Sequence, residues 1–402
     1  MRILHTSDWH LGRRLMSVDM HEHHAEFLAW LLRTAQAEQV DLVVVAGDIF
    51  DRSQPSAESV DLLDRTLASF AAAGVRMLLI PGNHDHPVRI GYGRALFEQS
   101  GIHVRATVSD ISAPVVLSDE AGPVACYGIP YLAPDAVMAQ LEAERSHASV
   151  LDAAMQRVRA DAAARGIDRI VVAAHAFVVG QSASAESDSE RDISVGGVPH
   201  VPVSVFDGAD YVALGHLHGC QRVRDGREAP AESSEGVRRP VVRYSGSPLP
   251  FSFSERNHVK SVLVTDLDAA GEVTVREIAA PVPRPLRQVT GTLAELLELA
   301  EADQSGLENA WVKAVLTDRI RPESPMERLR QVWPHAIALD FAPAGRGERP
   351  ATAALGTPAE AANAADIIGK FIAQVLGEGP DEATQVLIEN VLEDVRVSEE
   401  VA

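Results

Sequence analysis

The feature that most constrains this chain is a series of short apolar runs, rich in Val and Leu, within its first 220 residues. Six runs predict strands, and they cover residues 2–8, 41–48, 76–83, 124–130, 168–175 and 210–216. Between them, apolar residues recur every three or four positions at 23–38, 58–74 and 135–166, which predicts helices. Strands that are apolar throughout and alternate with helices are typical of a layered α/β domain with parallel sheets.

Five of the six runs end in residues that can bind a metal ion. The predicted ligands are Asp8, His10, Asp48, Asn83, His175, His216 and His218. Ligands gather at the carboxyl ends of parallel strands, so these side chains are expected to form one site. Carboxylates, imidazoles and an amide without thiolates suit Mn²⁺, Mg²⁺, Fe or Zn²⁺. Asp48 is the natural bridge between two ions, and such a pair can hydrolyse a phosphoester.

The residues around these ligands predict further roles in the same reaction. His84 is the candidate acid that protonates the leaving oxygen, whereas Asp85 is expected to orient the loop without binding metal. The side chains predicted to face the substrate are Arg13, Arg14, Ser187 and Arg191. The histidine-rich stretch 20–27 opens a helix away from a strand end, so we expect it to be solvated or to face a groove.

In order along the chain, D8-x-H10, G47-D48, G82-N83-H84-D85, H175 and G215-H216-x-H218 match the motifs of calcineurin-like metallophosphoesterases. Over about residues 1–280 the resemblance is closer, to the SbcD family of nuclease subunits, which includes the archaeal and eukaryotic Mre nucleases. The stretches that carry it are HTSDWHLGRRL, AGDIFDRSQPS, SDSERDISVGGVPHVP and YSGSPLPFSFSE. The fold class that this implies is a layered α/β metallophosphoesterase sandwich.

The resemblance implies how the ligands are shared between two ions, most often Mn²⁺, with Mg²⁺ as the alternative. One ion would be held by Asp8, His10, Asp48 and His218, and the other by Asp48, Asn83, His175 and His216. His84 would be catalytic. Archaeal relatives often carry a histidine shortly after the GDxF motif, where this chain has Asp51 and Arg52. Any accessory role at that position is therefore left unassigned.

The resemblance also implies a domain order. Residues 1–280 would form the nuclease domain, and 281–342 a small α/β capping domain that shapes a DNA cleft and follows a proline-rich linker at 281–289. Residues 343–402 would hold a second linker and two helices that dock on the coiled coil of an ATPase partner, SbcC. The apolar stripe expected to make that contact is Ile367, Ile368, Phe371, Ile372 and Val375. A homodimer through the nuclease domain and two copies of each subunit are implied as well.

The net charge of −21 at first argues against a nucleic-acid partner. From residue 291 onward, however, 20 acidic residues face nine Lys and Arg, a net charge of −11 that suits a protein partner. We find no signal peptide and no apolar run of about 18 residues, which predicts no membrane partner. With only two cysteines the chain has no disulfide framework, and the prediction is a cytoplasmic, nucleoid-associated protein.

Three functions remain open from the sequence. By resemblance, the first is a DNA nuclease with ATP-dependent 3′→5′ exonuclease and single-strand or hairpin endonuclease activity, acting in repair, recombination and replication. The second is a phosphomonoesterase or small-molecule phosphodiesterase; protein phosphatases of the superfamily usually read GDxxDRG and GNHE, whereas this chain reads GDIFDRS and GNHD. The third, a non-enzymatic scaffold, is disfavoured because every ligand is present.

Overall fold

A computed structural model describes most of the chain. The described residues are 1–180, 187–190, 200–225, 238–302, 306–342, 364–376 and 379–400. They form two compact units, the first comprising residues 1–287 with 309–312, and the second 288–308 with 313–402.

The strands follow one another in this order along the chain. The first ten are β1 (Arg2–Thr6), β2 (Arg14–Leu15), β3 (Val18–Asp19), β4 (Leu42–Ala46), β5 (Met77–Ile80), β6 (Ile102–Val104), β7 (Val115–Asp119), β8 (Gly122–Ile129), β9 (Arg169–His175) and β10 (Val178–Val179). The others are β11 (Val201–Pro202), β12 (Tyr211–Gly215), β13 (Gln221–Val223), β14 (Val241–Tyr244), β15 (Ser261–Leu267), β16 (Val273–Ala279), β17 (Leu286–Gly291), β18 (Trp311–Leu316) and β19 (Ala336–Phe341).

Two six-stranded sheets build the first unit, in the orders β16-β15-β1-β4-β5-β6 and β13-β14-β12-β9-β8-β7. In each sheet four neighbouring strands run parallel, β1-β4-β5-β6 and β8-β9-β12-β14. Antiparallel strands extend both sheets, including the hairpin of β15 and β16, which pairs with β1. All six predicted strands are confirmed.

The sheets pack face to face because their central strands are apolar on both sides. Val44 and Leu78 of the first sheet share a buried cluster with Cys126 and Val171 of the second. Val43, one residue from Val44, points instead to a separate cluster on the outer face of the first sheet. Continuously buried strands of this kind need cover on both faces, and helices supply the outer cover.

The helices are α1 (His21–Ala37), α2 (Ala57–Ala72), α3 (Pro87–Ile90), α4 (Arg94–Phe97), α5 (Pro134–Leu141), α6 (His147–Arg165), α7 (Leu293–Glu301), α8 (Pro325–Val332), α9 (Ala364–Leu376) and α10 (Glu382–Glu400). Helices α1 and α2 cover the first sheet, through side chains such as Leu31 and Phe70, and α5 and α6 cover the second. The layers therefore run helix, sheet, sheet, helix, which confirms the predicted α/β sandwich.

The predicted single helix at 135–166 is wrong. The chain breaks after α5, where Glu142 takes a left-handed conformation with φ of 54°. Ser146 then begins α6 by accepting a hydrogen bond from the backbone of Ser149. A serine cap stabilises a new helix start, so the pattern forms two shorter helices.

In the second unit, α7 and α8 pack on each other beside a three-stranded sheet in the order β17-β18-β19. Because β17 begins at Leu286, the second half of the predicted linker at 281–289 is strand. Helices α9 and α10 follow and contact each other. Among the described helices, none combines the length and apolar character that crossing a bilayer requires. The predicted functions of this unit stay predictions.

Candidate metal centre

The carboxyl ends of five parallel strands, β1, β4, β5, β9 and β12, meet at one edge of the sandwich. Among the described residues, three groups place their ligand atoms within 4.8 Å of one another. They are Asp8 with His10 and His218, His10 with Asp48 and His84, and Asp8 with Asp48 and His175. Asp8, His10 and Asp48 each belong to two groups, so the groups form one continuous cluster.

The backbone at this edge is held in conformations that L-residues seldom adopt. Asp8, His10 and Asp48 have φ of 52°, 47° and 50°, and His216 has φ of 112°. Backbone hydrogen bonds between the loops keep them there: Asp8 N donates to Gly47 O at 3.0 Å and His10 N to Asp48 O at 2.9 Å. Such strain costs about 1–3 kcal/mol per residue and persists where the surroundings impose it, which is common at functional sites.

One half of the cluster brings His10 and His218 together. Their Nε2 atoms lie 3.1 Å apart, and His10 Nε2 is 3.7 Å from Asp48 Oδ2. Asp8 lies at the same place, where its carboxylate accepts the backbone N–H of His216 at 2.9 Å. Two nitrogens facing each other beside two carboxylates suit one cation.

The other half centres on Asn83. Its Oδ1 lies 2.8 Å from His175 Nε2 and 3.3 Å from His216 Nδ1. His175 Nε2 is also 3.5 Å from Asp48 Oδ2. The buried Asn83 Nδ2 has no hydrogen-bond partner among the described residues, because the amide is turned so that its oxygen faces the cluster. This oxygen and nitrogen set fits a second divalent ion with Asp48 between the two halves.

Burial sets the protonation states of these groups. It lowers the pKa values of His10, His175, His216 and His218, so their rings stay neutral and can offer a lone pair. Burial also raises the pKa of Asp8 well above its ordinary value, and the charge of Asp48 adds to that effect. A bound cation would reverse the penalty on the Asp8 carboxylate, so the cluster fits metal better than it fits an empty apolar interior.

His84 lies beside the cluster with one nitrogen already engaged. Its Nδ1 donates to the carbonyl of Asp51 at 2.7 Å, and its backbone N–H donates to Asp48 Oδ1 at 2.9 Å. The ring meets that of His10 edge to face, with centroids 4.8 Å apart. Nε2 is therefore the nitrogen left to act in a reaction, and the side chain lines a cavity of about 690 Å³.

Asp85 joins two ligand loops from behind. Its carboxylate accepts the backbone N–H groups of Ile49, Phe50 and Gly82 at 2.8–2.9 Å. Burial, with the charge of Asp48, raises its pKa to about 7. These contacts match the predicted orienting role, since Asp85 ties the chain just after Asp48 to the chain just before Asn83.

The residues predicted to face the substrate fall into three groups. Arg14 lines the cavity beside His84 and is 57% exposed. Arg13 lines it too, but its guanidinium donates to Ser189 O at 2.7 Å and stacks over Phe251. Ser187 contacts the Ser189 hydroxyl at 2.8 Å, and Arg191 lies outside the described residues. Substrate contact by these four residues stays a prediction.

The sequence prediction missed several residues behind the ligands and misplaced one. Glu255 and Lys260 are buried behind His218. The only signal for Glu255 was its place at the end of the motif YSGSPLPFSFSE. The expectation that residues 20–27 are solvated or face a groove is wrong for His24, which is fully buried and packs near Phe251. It lies on the inward face of α1, and burial lowers its pKa to about 4.

Comparisons with known proteins find matches over most of the chain. Residues 1–220 match the family described as calcineurin-like phosphoesterase, and residues 282–397 match the type 5 capsule protein repressor C-terminal domain. The SbcD subunit of the SbcCD nuclease from Rhodobacter capsulatus is 35% identical over 85% of this chain and 84% of its own. The SbcD subunits of Bacillus subtilis and Escherichia coli K12 are 33% and 32% identical, covering 84% and 79% of this chain and 85% and 78% of their own.

Proposed function

This chain belongs to the calcineurin-like phosphoesterases and, within them, to the SbcD family of nuclease subunits, and from this premise we propose that it is a metal-dependent DNA nuclease. The observation that carries the proposal is the cluster of eight strand-end residues beside a cavity lined by three arginines, Arg13, Arg14 and Arg52. Cations at the mouth of an otherwise acidic protein suit a phosphate backbone.

The proposed assignment of ligands follows the two halves of the cluster. Asp8, His10 and His218 would hold one ion, Asn83, His175 and His216 the other, and Asp48 both. The ions, proposed as Mn²⁺ with Mg²⁺ as the alternative, would activate water and offset charge on the phosphoester. His84 would donate a proton from Nε2 to the leaving oxygen, while the Asp51 carbonyl accepts from Nδ1 and steadies the ring.

A phosphomonoesterase or small-molecule phosphodiesterase would use the same metal ligands. The exposed arginines that line the cavity disfavour this alternative. Arg52 is 84% exposed and Arg14 57% exposed, so both can reach phosphates beyond the one at the metals. A small ester has no such phosphates. By family resemblance, we extend the proposal to ATP-dependent exonuclease and hairpin endonuclease activity in DNA repair, recombination and replication.

The test is cleavage of a labelled DNA hairpin with Mn²⁺, beside hydrolysis of p-nitrophenyl phosphate. We expect His84→Ala to slow hairpin cleavage about 10²–10⁴-fold, the contribution typical of a general acid, with both ions still bound. His86→Ala is the matched control, because His86 is exposed two residues further on and should cleave like the unmodified protein. Hydrolysis of the small ester with the hairpin left intact, even when the ATPase partner is present, would favour the alternative.

We also propose a homodimer through the nuclease domain. Val88, Tyr92 and Leu96 lie on and between α3 and α4, directly after the PGNHD loop, and are 73%, 83% and 70% exposed. Large exposed apolar side chains at a four-residue spacing mark an association surface. Tyr92→Asp with Leu96→Asp should convert a dimer to a monomer in sedimentation velocity, whereas Ile320→Asp, at an equally exposed residue of the second unit, should not. A monomeric unmodified protein contradicts the proposal.

For the C-terminal helices we propose contact with an SbcC-type ATPase, in an assembly of two copies of each subunit. Phe371 of α9 and Leu387 of α10 are 56% and 61% exposed, which supports a partner on this surface. The side chains of Ile367 and Val375, two of the five predicted contacts, lie outside the described part of the structure. We place the complex in the cytoplasm at the nucleoid, and a fluorescent fusion excluded from the nucleoid would count against that.

A further inference from the structure

A buried carboxylate lies directly behind one of the ligand histidines. Glu255, whose side chain is fully buried, places Oε1 3.3 Å from His218 Nδ1 and accepts the hydroxyl hydrogen of Ser189 on the same oxygen. The Ser189 oxygen is in turn 2.6 Å from His218 Nδ1. The nitrogen that faces away from the metal cluster therefore meets two oxygens.

These contacts decide which ring nitrogen of His218 carries hydrogen. A carboxylate only accepts, and the Ser189 hydroxyl has given its hydrogen to Glu255, so both oxygens accept from His218. Nδ1 must then be the donor. In the neutral ring, Nε2 is left with its lone pair, and it is this atom that lies 3.1 Å from His10 Nε2 inside the cluster.

The charge on Glu255 is itself held in place. Lys260, 3% exposed, forms an ion pair with Glu255 Oε2 and donates to His218 O at 3.0 Å and to Ser247 Oγ at 2.9 Å. The three ammonium hydrogens thus have partners, two of which belong to the same small network. Glu190 completes it by accepting the backbone N–H of His218 at 2.6 Å.

A buried ion pair is weak evidence for stability, because removing two charges from water offsets most of their attraction. Here the ion pair of Glu255 and Lys260 lies beside a predicted metal ligand, His218, and contacts it. His175 is oriented by a backbone carbonyl, Ala46 O, at 2.9 Å from its Nδ1. The Nδ1 of His10 has no hydrogen-bond partner among the described residues, and the nearest carboxylate oxygen, Asp51 Oδ1, is 3.7 Å away. In the half of the cluster that contains His10 and His218, the ring held from behind by hydrogen bonds is therefore His218, through Ser189 and the carboxylate of Glu255.

We propose that Glu255, charged by its pairing with Lys260 and assisted by Ser189, is a positioning residue that presents His218 Nε2 to one of the two metal ions. The inference rests on the metal site of the proposed function. It states that metal binding at this site also depends on residues that are not themselves ligands. Outer residues of this kind typically change metal affinity about 10–100-fold.

The experiment is titration of the metal-free full chain with MnCl₂ in a calorimeter, for the unmodified protein and for Glu255→Leu combined with Lys260→Met. The double variant replaces both charges by apolar side chains, so neither member of the ion pair is left charged without the other. We expect one of the two ions to bind about 10–100-fold more weakly and the other to bind unchanged. Asp210→Asn is the control. Asp210 is also buried, but it directly precedes the first residue of β12, at the end away from the metal cluster, so the substitution should leave both affinities unchanged.

A folded double variant that binds both ions with unmodified affinity overturns the proposal, as does equal weakening in Asp210→Asn. Nitrogen NMR of the unmodified, metal-free protein shows which ring nitrogen of His218 carries hydrogen, so the proposal can be tested even if the double variant does not fold. Hydrogen on Nδ1 supports the proposal, and hydrogen on Nε2 overturns it. Because neither measurement uses DNA, a protein that binds two ions but cuts no hairpin ends the proposed nuclease function and leaves this inference standing.

Discussion

Gly82 and Gly215 each directly precede a predicted ligand, and neither position has room for a side chain. A Cβ on Gly82 would lie 2.1 Å from a carboxylate oxygen of Asp48. On Gly215 it would lie 1.9 Å from the carbonyl oxygen of Ala46, which belongs to the other sheet. The two sheets therefore touch at the strand ends through a glycine, and this contact lets side chains from both sheets lie in the same cluster.

Gly215→Ala should lower the free energy of unfolding by about 3 kcal/mol, because the atom that blocks the new methyl group is backbone and cannot rotate away. Gly74→Ala is the comparison. Gly74 has φ of 68° with open space around it, so only the left-handed penalty of about 1–2 kcal/mol applies. Urea unfolding of the two variants measures both values. Equal losses would mean that the sheets do not meet as closely as the structure shows.

At the scale of elements, an arginine fastens the sheets at the end opposite the metal centre. Arg169, 7% exposed at the start of β9, donates to both oxygens of Asp119 at 2.7 and 2.8 Å. It also donates to the carbonyl of Leu267 at the end of β15, at 3.0 Å. One guanidinium thus links two strands of the second sheet to a strand of the first. The hydrogen bonds from Arg169 hold the pKa of Asp119 below its usual range.

This pair predicts a pH-dependent contribution to stability. Asp119→Asn should lower the free energy of unfolding at pH 7 by about 1–2 kcal/mol, in the lower range for bonds to charged groups because Asp119 is partly exposed. Because its folded-state pKa is depressed, the contribution is complete above the unfolded pKa of about 3.9 and is lost as the pH falls through the folded pKa.

Urea unfolding at pH 6, 4 and 3 measures how the difference between Asp119→Asn and the unmodified protein changes. We expect it to be largest at pH 6 and to shrink at pH 3. Asp61→Asn, which breaks an exposed pair with Arg65 on α2, should change little at any of these values. A difference that stays constant with pH would show that Asp119 contributes through packing and not through its charge.

At the scale of the whole molecule, charge and apolar surface are divided between regions. Residues 291–402 carry −11 of the net −21. Arginines nevertheless line the cavity beside the metal centre, and exposed apolar residues lie on the two C-terminal helices. An acidic region with an apolar face suits a protein partner, and a locally basic cavity suits a phosphate chain.

The division predicts that partner binding and catalysis can be separated. Phe371→Asp with Leu387→Asp should weaken binding to an SbcC-type coiled coil by about 30-fold or more, since exposed apolar anchors dominate such contacts. Mn²⁺ binding and hairpin cleavage without the partner should not change. Leu299→Asp, at a 44% exposed position of α7, is the matched control and should bind the partner normally. Calorimetry with the isolated coiled coil measures each affinity, and loss of metal binding in the double variant would contradict the separation.

The sequence by itself determined six strands of the two sheets, helices α1 and α2, and the residues of the cluster at the strand ends. Each of these depends on local pattern: continuous apolar runs for the strands, apolar residues every three or four positions for the helices, and ligand residues directly after the runs. The convergence of Asp8, Asp48, Asn83, His175 and His216 followed because parallel strands deliver their carboxyl ends to one edge.

Only the tertiary structure decided what lies behind that edge. The placement of the hairpin beside β1, the break between α5 and α6, the burial of His24 and the approach of Glu255 to His218 leave little trace in local pattern. They depend on contacts between residues far apart in the chain, such as the 37 positions that separate His218 from Glu255. Local periodicity reports which side of an element is buried, but not which side chain it meets there.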